Sequence, residues 1–238
     1  MFLILKKRSF LISIVVVSII GIIVFGKFWA DFFKWKPTFS WHIAPHTFFI
    51  DPGHGGIFPG KVAADGTLEK NINLSISLNL ANLLSQSAAE VILSRTGDSD
   101  LLTEDTNDSL LKKQQLDLHA RTQLAIGTNC DYYISIHCNS IPAPQWHGAQ
   151  VFYKPKDTES QHLAEAIQCR LTSELQNTTR SALPRDDTYI FKNTPMPTVI
   201  VECGFLSNEE ECKLLNDDFY QQKIAYAIFL GISDYLND

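Results

Sequence analysis

The chain has 238 residues and a formal net charge of −6, from 20 Lys and Arg against 26 Asp and Glu. Residues 1–36 hold six of the basic residues and one of the acidic residues, so the rest of the chain has 14 basic and 25 acidic residues. A nucleic-acid-binding domain needs a basic face. The acidic balance of residues 37–238 therefore predicts that no nucleic acid is a partner.

The N-terminal region is predicted to direct export. Residues 9–26 form an uncharged apolar run, which as a helix is roughly 27 Å long and just spans a bilayer core. Three basic residues over 6–8 precede the run and orient the N-terminus toward the cytoplasm. We expect a basic cytoplasmic N-terminus over 1–8 and a transmembrane anchor or signal sequence over 9–26. No A-x-A cleavage site follows the run, which favours a retained anchor.

The rest of the chain is expected on the extracytoplasmic face of the membrane, anchored or released after signal cleavage. A linker is predicted over 27–46, because the stretch before the first strand contains two prolines and shows no periodicity. One folded domain is predicted over 47–238, a length that is ample for a hydrophobic core.

The cysteines do not form a recognisable metal or disulfide pattern. They number five and lack a C-x-x-C pair: Cys130, Cys138, Cys169, Cys203 and Cys212. Buried free thiols are the favoured interpretation, while one disulfide remains open in an exported chain.

Strand and helix patterns alternate along the domain. The predicted strands cover 47–50, 90–95, 132–136, 148–153, 188–191 and 198–201. The predicted helices cover 71–84, 114–127, 157–176, a short helix capped by Ser207-x-x-Glu210, and 219–235. This alternation predicts an α/β fold with a largely parallel twisted sheet flanked by helices on both faces, in a single catalytic domain after an N-terminal hydrophobic helix.

One turn stands out at the end of the first strand. The run Thr47–Ile50 is followed by Asp51-Pro-Gly-His54-Gly-Gly, where proline and glycines force an abrupt turn and let the backbone approach a ligand closely. The turn places an imidazole at the carboxyl end of a strand, which is where open α/β sheets place their sites. A nucleotide-binding loop is excluded, because no Gly-Lys-Ser/Thr follows the glycines.

Four side chains near strand ends suit a catalytic metal centre. His54, His137 and Glu202 each lie at the end of a predicted strand, and Glu69 lies between the first strand and the next helix. Two imidazoles and one carboxylate with an open fourth position are typical of a catalytic zinc site. His54, Glu69 and His137 can supply those ligands. Glu202 then remains as a nearly buried carboxylate suited to proton transfer.

Each of these residues also has a structural interpretation. A histidine at a strand end often serves only as a hydrogen-bonded side chain. Glu69 can stabilise a helix N-terminus through the helix dipole, and Glu202 can cap a neighbouring helix. It is the combination of all four that favours the metal centre.

Four motifs in order carry a family resemblance. Asp51-Pro-Gly-His54-Gly-Gly, Leu68-Glu69-Lys70, Ser135-Ile-His137-Cys-Asn139 and Val201-Glu202-Cys-Gly-Phe-Leu-Ser-Asn208 together resemble the zinc-dependent N-acetylmuramoyl-L-alanine amidases of the amidase_3 type. Within that family the sequence is most similar to the germination-specific CwlD amidases of endospore-forming bacteria. The resemblance implies that His54, Glu69 and His137 bind Zn2+ and that Glu202 is catalytic.

The resemblance also implies roles for two further residues. Asn139 and Arg121 are predicted to bind substrate, although a loop-bracing role for Asn139 and a folding role for Arg121 remain open.

The implied reaction is hydrolysis of the amide between N-acetylmuramic acid and L-alanine in peptidoglycan. In the spore cortex it would remove stem peptides ahead of muramic-δ-lactam formation. The implied location is then the intermembrane space of the forespore, with a polysaccharide deacetylase acting afterwards and an activating lipoprotein as a partner. Two alternatives are a zinc peptidase cutting within the stem peptide and a non-catalytic peptidoglycan-binding module.

Overall fold

The computed structural model describes residues 42–103 and 107–237. Residues 40–238 form one compact unit. The predicted segments over 1–8 and 9–26 lie outside the described residues. Within the described residues, we find no helix with the length and apolar character to cross a membrane.

The core of the domain is a six-stranded sheet with the strand order β2-β1-β3-β6-β4-β5. Its strands are β1 (Thr47–Pro52), β2 (Glu90–Leu93), β3 (Tyr132–Asn139), β4 (Gln150–Tyr153), β5 (Leu183–Pro184) and β6 (Thr198–Phe205). Four neighbouring strands, β2, β1, β3 and β6, run parallel. β4 runs antiparallel to β6, and β5 runs parallel to β4. The predicted, largely parallel sheet is confirmed.

Helices cover both faces of this sheet. They are α1 (Glu69–Gln86), α2 (Leu110–Gly127), α3 (Thr158–Leu175), α4 (Tyr189–Asn193), α5 (Glu209–Leu215) and α6 (Asp218–Asn237). Helices α1, α3 and α6 bury their apolar residues with Phe48 and Ile50 in the main core. Phe49, which alternates to the other side of β1, packs with residues of α2 and α4. The β1 strand is therefore buried on both faces, as its apolar sequence indicates.

The prediction of a strand over 188–191 is wrong. Tyr189–Asn193 forms the short helix α4, which buries Ile190 and Phe191 against the sheet. Strand β5, with two residues, was not predicted.

The predicted capping box at Ser207 is also wrong. The N-cap of α5 is Asn208, whose side chain accepts a hydrogen bond from the Glu211 amide. The Ser207 hydroxyl instead accepts from the Ile141 amide at 3.2 Å. All five cysteines are free thiols, four of them buried, as the favoured interpretation predicted.

The direction of β4 determines where the preceding connection lies. Because β4 is antiparallel to β6 while β6 is parallel to β3, β4 begins at the sheet edge where β3 ends. The connection over 140–149 therefore stays on this carboxyl edge and passes over the end of β6.

Candidate active site

Three of the predicted site residues come together at the carboxyl edge of the sheet. His54 lies in the turn after β1, His137 near the end of β3, and Glu69 at the first position of α1. The Nε2 atom of His54 is 3.2 Å from one carboxylate oxygen of Glu69, and the Nδ1 atom of His137 is 3.0 Å from the other. One ligand atom from each residue lies within 4.8 Å of those of the other two.

Glycine is required where the chain passes these side chains. A Cβ atom on Gly53 would lie 2.3 Å from Cε1 of His137, and one on Gly60 would lie 2.5 Å from Oε2 of Glu69. Between them, His54 itself has a φ of 64°, which is uncommon for a residue with a side chain. The glycine-rich sequence thus lets the backbone wrap closely around the three side chains.

The Glu69 carboxylate is held from several sides. It accepts hydrogen bonds from the amides of Lys61 at 2.8 Å and Cys138 at 3.1 Å, and from the Asn73 side chain at 3.2 Å. Burial raises the pKa of Glu69, but hydrogen bonds and charge from His137 and His54 outweigh that effect and hold the pKa well below its usual range. The carboxylate is therefore ionised and fixed in orientation.

Beneath the turn lies a buried ionic network. Arg121 donates to Asp51 at 2.6 Å and to Asp117 at 2.7 Å, and it also donates to the carbonyl oxygen of His54 at 2.7 Å. Its side chain is only 1% exposed. The burial argues against the predicted substrate contact of Arg121, and we assign this residue to holding the turn that presents His54.

A second arginine braces the same turn. Arg95 donates to the carbonyl oxygens of Pro52 and Gly53, each at 3.0 Å, and to that of Lys70 at 2.8 Å. It therefore ties the His54 turn to the start of α1. Sequence reasoning missed Arg95, because these three acceptors are backbone carbonyls more than 20 positions away, and backbone acceptors leave no side-chain pattern.

Glu202 lies across the strand pair from His137. The two residues are register partners in β6 and β3, and the Glu202 side chain is 13% exposed. Its Oε2 atom is buried and makes no hydrogen bond within the described part of the chain. The pKa of Glu202 is raised, mainly because the carboxylate is buried. The charge of His137 lowers this pKa and the charge of Glu69 raises it, and the net effect remains upward.

One cation near Glu202 was not predicted. The Arg185 guanidinium is 3.6 Å from Oε1 of Glu202 and stacks over the Phe152 ring at 3.6 Å. Arg185 precedes Glu202 by 17 positions, and only the pairing of β4 with both β5 and β6 brings the two residues together.

Asn139 ends β3, two residues after His137, and is partly buried. Its backbone carbonyl accepts from the Leu206 amide at 2.8 Å. The substrate role of its side chain stays a prediction.

The chemistry of this donor set fits a divalent metal ion. Two imidazole nitrogens and an ionised carboxylate oxygen converge at one point, and in the described residues no fourth Cys, His, Asp or Glu joins the group. Such a three-residue set leaves a coordination position open for water or substrate, as in catalytic sites. Glu202, the register partner of His137, has its side chain on the same face of the sheet.

The fold and the site together define an α/β domain with a candidate metal centre at the carboxyl edge of its sheet. The sequence profile of the Amidase_3 family, described as N-acetylmuramoyl-L-alanine amidase, matches residues 48–234. The chain therefore belongs to this family of amidases, whose members are generally metal-dependent. The predicted family and enzyme class are confirmed.

Individual relatives support the same assignment. The chain is 36% identical to the germination-specific N-acetylmuramoyl-L-alanine amidase of Bacillus subtilis, over 98% of this chain and 96% of the relative. Its structure is similar to the CwlD amidase of Clostridioides difficile in complex with the GerS lipoprotein, with a TM-score of 0.79, 42% identity, and coverage of 81% and 98%. An N-acetylmuramoyl-L-alanine amidase of Clostridium difficile 630 gives a TM-score of 0.71 at 30% identity, with coverage of 81% and 97%.

Proposed function

We propose that this chain hydrolyses the amide between N-acetylmuramic acid and L-alanine in peptidoglycan, with zinc held by His54, Glu69 and His137 and with Glu202 as the proton-transferring residue. The observation that carries the proposal is the convergence of the three ligand atoms within 4.8 Å beside a buried carboxylate whose Oε2 atom has no hydrogen-bond partner in the described chain.

Proton transfer is assigned to Glu202. When bound, zinc supplies Lewis acidity that activates water and polarises a carbonyl group. The free Oε2 atom of Glu202 accepts the proton that the attacking water loses and then donates it to the nitrogen of L-alanine as the amide bond breaks. The raised pKa of Glu202 brings this carboxylate nearer to the range in which it can both accept and return a proton.

The surrounding residues hold this arrangement in place. Glu69 is held in orientation by hydrogen bonds from Lys61, Asn73 and Cys138. Arg121 and Arg95 fix the carbonyls of the His54 turn. Arg185 contacts the other oxygen of Glu202 and leaves Oε2 free. The chain thus orients the ligands and the proton acceptor before substrate arrives, which lowers the cost of organising them during reaction.

We extend the proposal to the biological setting. Similarity to a germination-specific amidase over 98% of the chain supports stem-peptide removal in spore-cortex peptidoglycan, ahead of muramic-δ-lactam formation and in functional pairing with a polysaccharide deacetylase. The lipoprotein complex of a similar amidase supports an activating lipoprotein as a partner. We propose extracytoplasmic action, with residues 9–26 as membrane anchor or signal sequence and 47–238 as the catalytic domain.

The first test is digestion of purified peptidoglycan by the full-length protein with zinc, followed by mass spectrometry of the soluble products. Stem peptides that begin with a free L-alanine are expected. Fragments cut within the stem would identify a peptidase instead. Intact stems, with protein that contains stoichiometric zinc, would indicate either that the activating lipoprotein is required or that the chain is a binding module.

Two variants separate metal binding from proton transfer. Glu202→Gln should retain zinc and lose activity by about 10²- to 10⁴-fold, because an amide cannot accept the proton. His137→Ala should lose both zinc and activity. Measuring zinc content and turnover on the same samples distinguishes the roles: loss of zinc from Glu202→Gln would make Glu202 a ligand, and an active His137→Ala enzyme without metal would contradict the site.

A further inference from the structure

An exposed tryptophan lies in the connection that passes over the end of β6, the strand that carries Glu202. Trp146 belongs to the connection over 140–149 and is 48% exposed. The Arg180 guanidinium lies over its ring at 5.4 Å from the centroid, and over the Phe205 ring at 4.8 Å. The indole is therefore held by a cation–π stack while a large part of its surface stays open to solvent.

The connection that carries Trp146 is fixed to the domain. The Asn208 side chain donates to the carbonyl of Pro144 at 2.8 Å, and the Ile141 amide donates to Ser207 Oγ at 3.2 Å. Trp146 itself donates its amide to the carbonyl of Ala143 at 3.2 Å. These bonds position the indole before any ligand arrives, which reduces the entropy lost on binding.

The residues that hold Trp146 connect to Glu202 through Gln150 and Arg180. Gln150 of β4 is the register partner of Glu202 in β6, so their side chains lie next to each other on one face of the sheet. The side-chain Oε1 atom of Gln150 accepts a hydrogen bond from Arg180 at 3.2 Å. His137, Glu202 and Gln150 thus occupy three adjacent strands in a row that spans roughly 10 Å. Arg180 links Gln150 of this row to the Trp146 ring.

We propose that Trp146 is a sugar-binding platform for the glycan strand of the substrate, an inference that rests on the proposed amidase function. The reactive amide links a peptide to a sugar, so a site that cuts it must also accommodate sugar rings on one side. The C–H face of a pyranose ring is apolar and packs on a flat aromatic surface, whose polar edge can stay hydrated.

The direct test measures binding of peptide-free glycan chains to the full-length Glu202→Gln protein by titration calorimetry, with and without Trp146→Ala. We expect Trp146→Ala to weaken this affinity about tenfold, the size of one aromatic stacking contact. Trp146→Phe should recover part of the affinity, because it restores an aromatic face. Phe219→Ala is the matched control, since Phe219 is a 74% exposed aromatic residue at the start of α6, and it should change nothing.

Kinetics on otherwise unmodified protein provide the second measurement. With soluble muropeptides, Trp146→Ala should raise KM about tenfold and leave kcat within about twofold, because the indole would contact the glycan and not the reacting amide. Two results would overturn the platform. One is a Trp146→Ala protein whose glycan affinity and KM both stay within twofold of the parent values, and the other is a parent protein that shows no measurable glycan binding. The indole would then be assigned to a protein-contact surface. If Trp146→Ala weakens glycan binding and the parent cuts no amide with or without the activating lipoprotein, the platform stands and the amidase proposal is refuted.

Discussion

The substitution Asp51→Asn tests whether the buried network beneath His54 carries stability. Asp51 is buried and accepts hydrogen bonds from Arg121 at 2.6 Å, Ser94 at 2.6 Å and Tyr133 at 2.8 Å. Asparagine preserves the shape of the side chain and removes its charge. Loss of that charge leaves Arg121 with Asp117 as its remaining carboxylate partner.

The magnitude follows from the pKa of Asp51. Burial raises this pKa, but the charge of Arg121 and the hydrogen bonds from Ser94 and Tyr133 outweigh it and lower the pKa from 3.8 to about 2. The difference corresponds to about 2.5 kcal/mol of stability. An unbalanced arginine charge adds to that loss, and we expect Asp51→Asn to cost about 2–4 kcal/mol at pH 7.

The effect has a defined dependence on pH. Because the pKa of Asp51 is depressed in the folded state, its contribution is fully present above pH ~4 and is lost as the pH falls toward about 2. Urea unfolding of residues 40–238 at several pH values from 7 to 3 measures this directly. The gap in unfolding free energy between parent and variant should be constant from pH 7 to 5 and should narrow below pH 4.

The control is Asp98→Asn. Asp98 pairs with Lys70 at 2.7 Å but is 54% exposed, so its removal should cost less than about 1 kcal/mol. The electrostatic account of this network would be refuted if Asp51→Asn lowers the unfolding free energy by less than about 0.5 kcal/mol. It would also be refuted if the difference in unfolding free energy between parent and variant stays the same down to pH 3.

The remaining predictions concern close backbone approaches and the proposed metal. Gly53→Ala should lower zinc affinity at least tenfold in a chelator-competition assay, because its Cβ atom would meet His137 at 2.3 Å; normal affinity would show that the turn can relax. Gly231→Ala should destabilise the domain by about 1–3 kcal/mol in urea, since its Cβ atom would lie 2.4 Å from Cα of Ile167. Gly127→Ala, which has open space around it, is the control for both. Removal of metal by EDTA should abolish amide hydrolysis, and added zinc should restore it; full activity after chelation would contradict the metal centre.

The fold could be predicted where segments are long and periodic. The four-residue spacing of Leu163, Ile167, Leu171 and Leu175 identified α3, and apolar runs identified β1, β3 and β6. The prediction failed over 188–191 because β-branched and aromatic residues favour strands, whereas tertiary packing of Ile190 and Phe191 stabilises a five-residue helix. Such a short helix is marginal on its own and forms only because the sheet covers it.

The ligand group was predictable for a topological reason. Parallel strands end at one edge, so polar residues at the ends of β1 and β3 meet there even though His54 and His137 are 83 positions apart in sequence. Contacts made by long side chains were not predictable in this way. Arg185 reaches Glu202 across strand pairings that no local pattern encodes, and Arg121 matched a family position but is buried by Asp51 and Asp117.

The antiparallel direction of β4 has a consequence for how members of this fold can diversify. A parallel strand after β3 would require a crossover that packs a helix on the sheet. Because β4 starts at the edge where β3 ends, the connection over 140–149 does not have to cross the sheet and needs no helix. Doubling its length would cost only about 0.6 kcal/mol of loop entropy. This segment is therefore a point at which residues can be inserted at the rim of the candidate site without rebuilding the strands that carry His137 and Glu202.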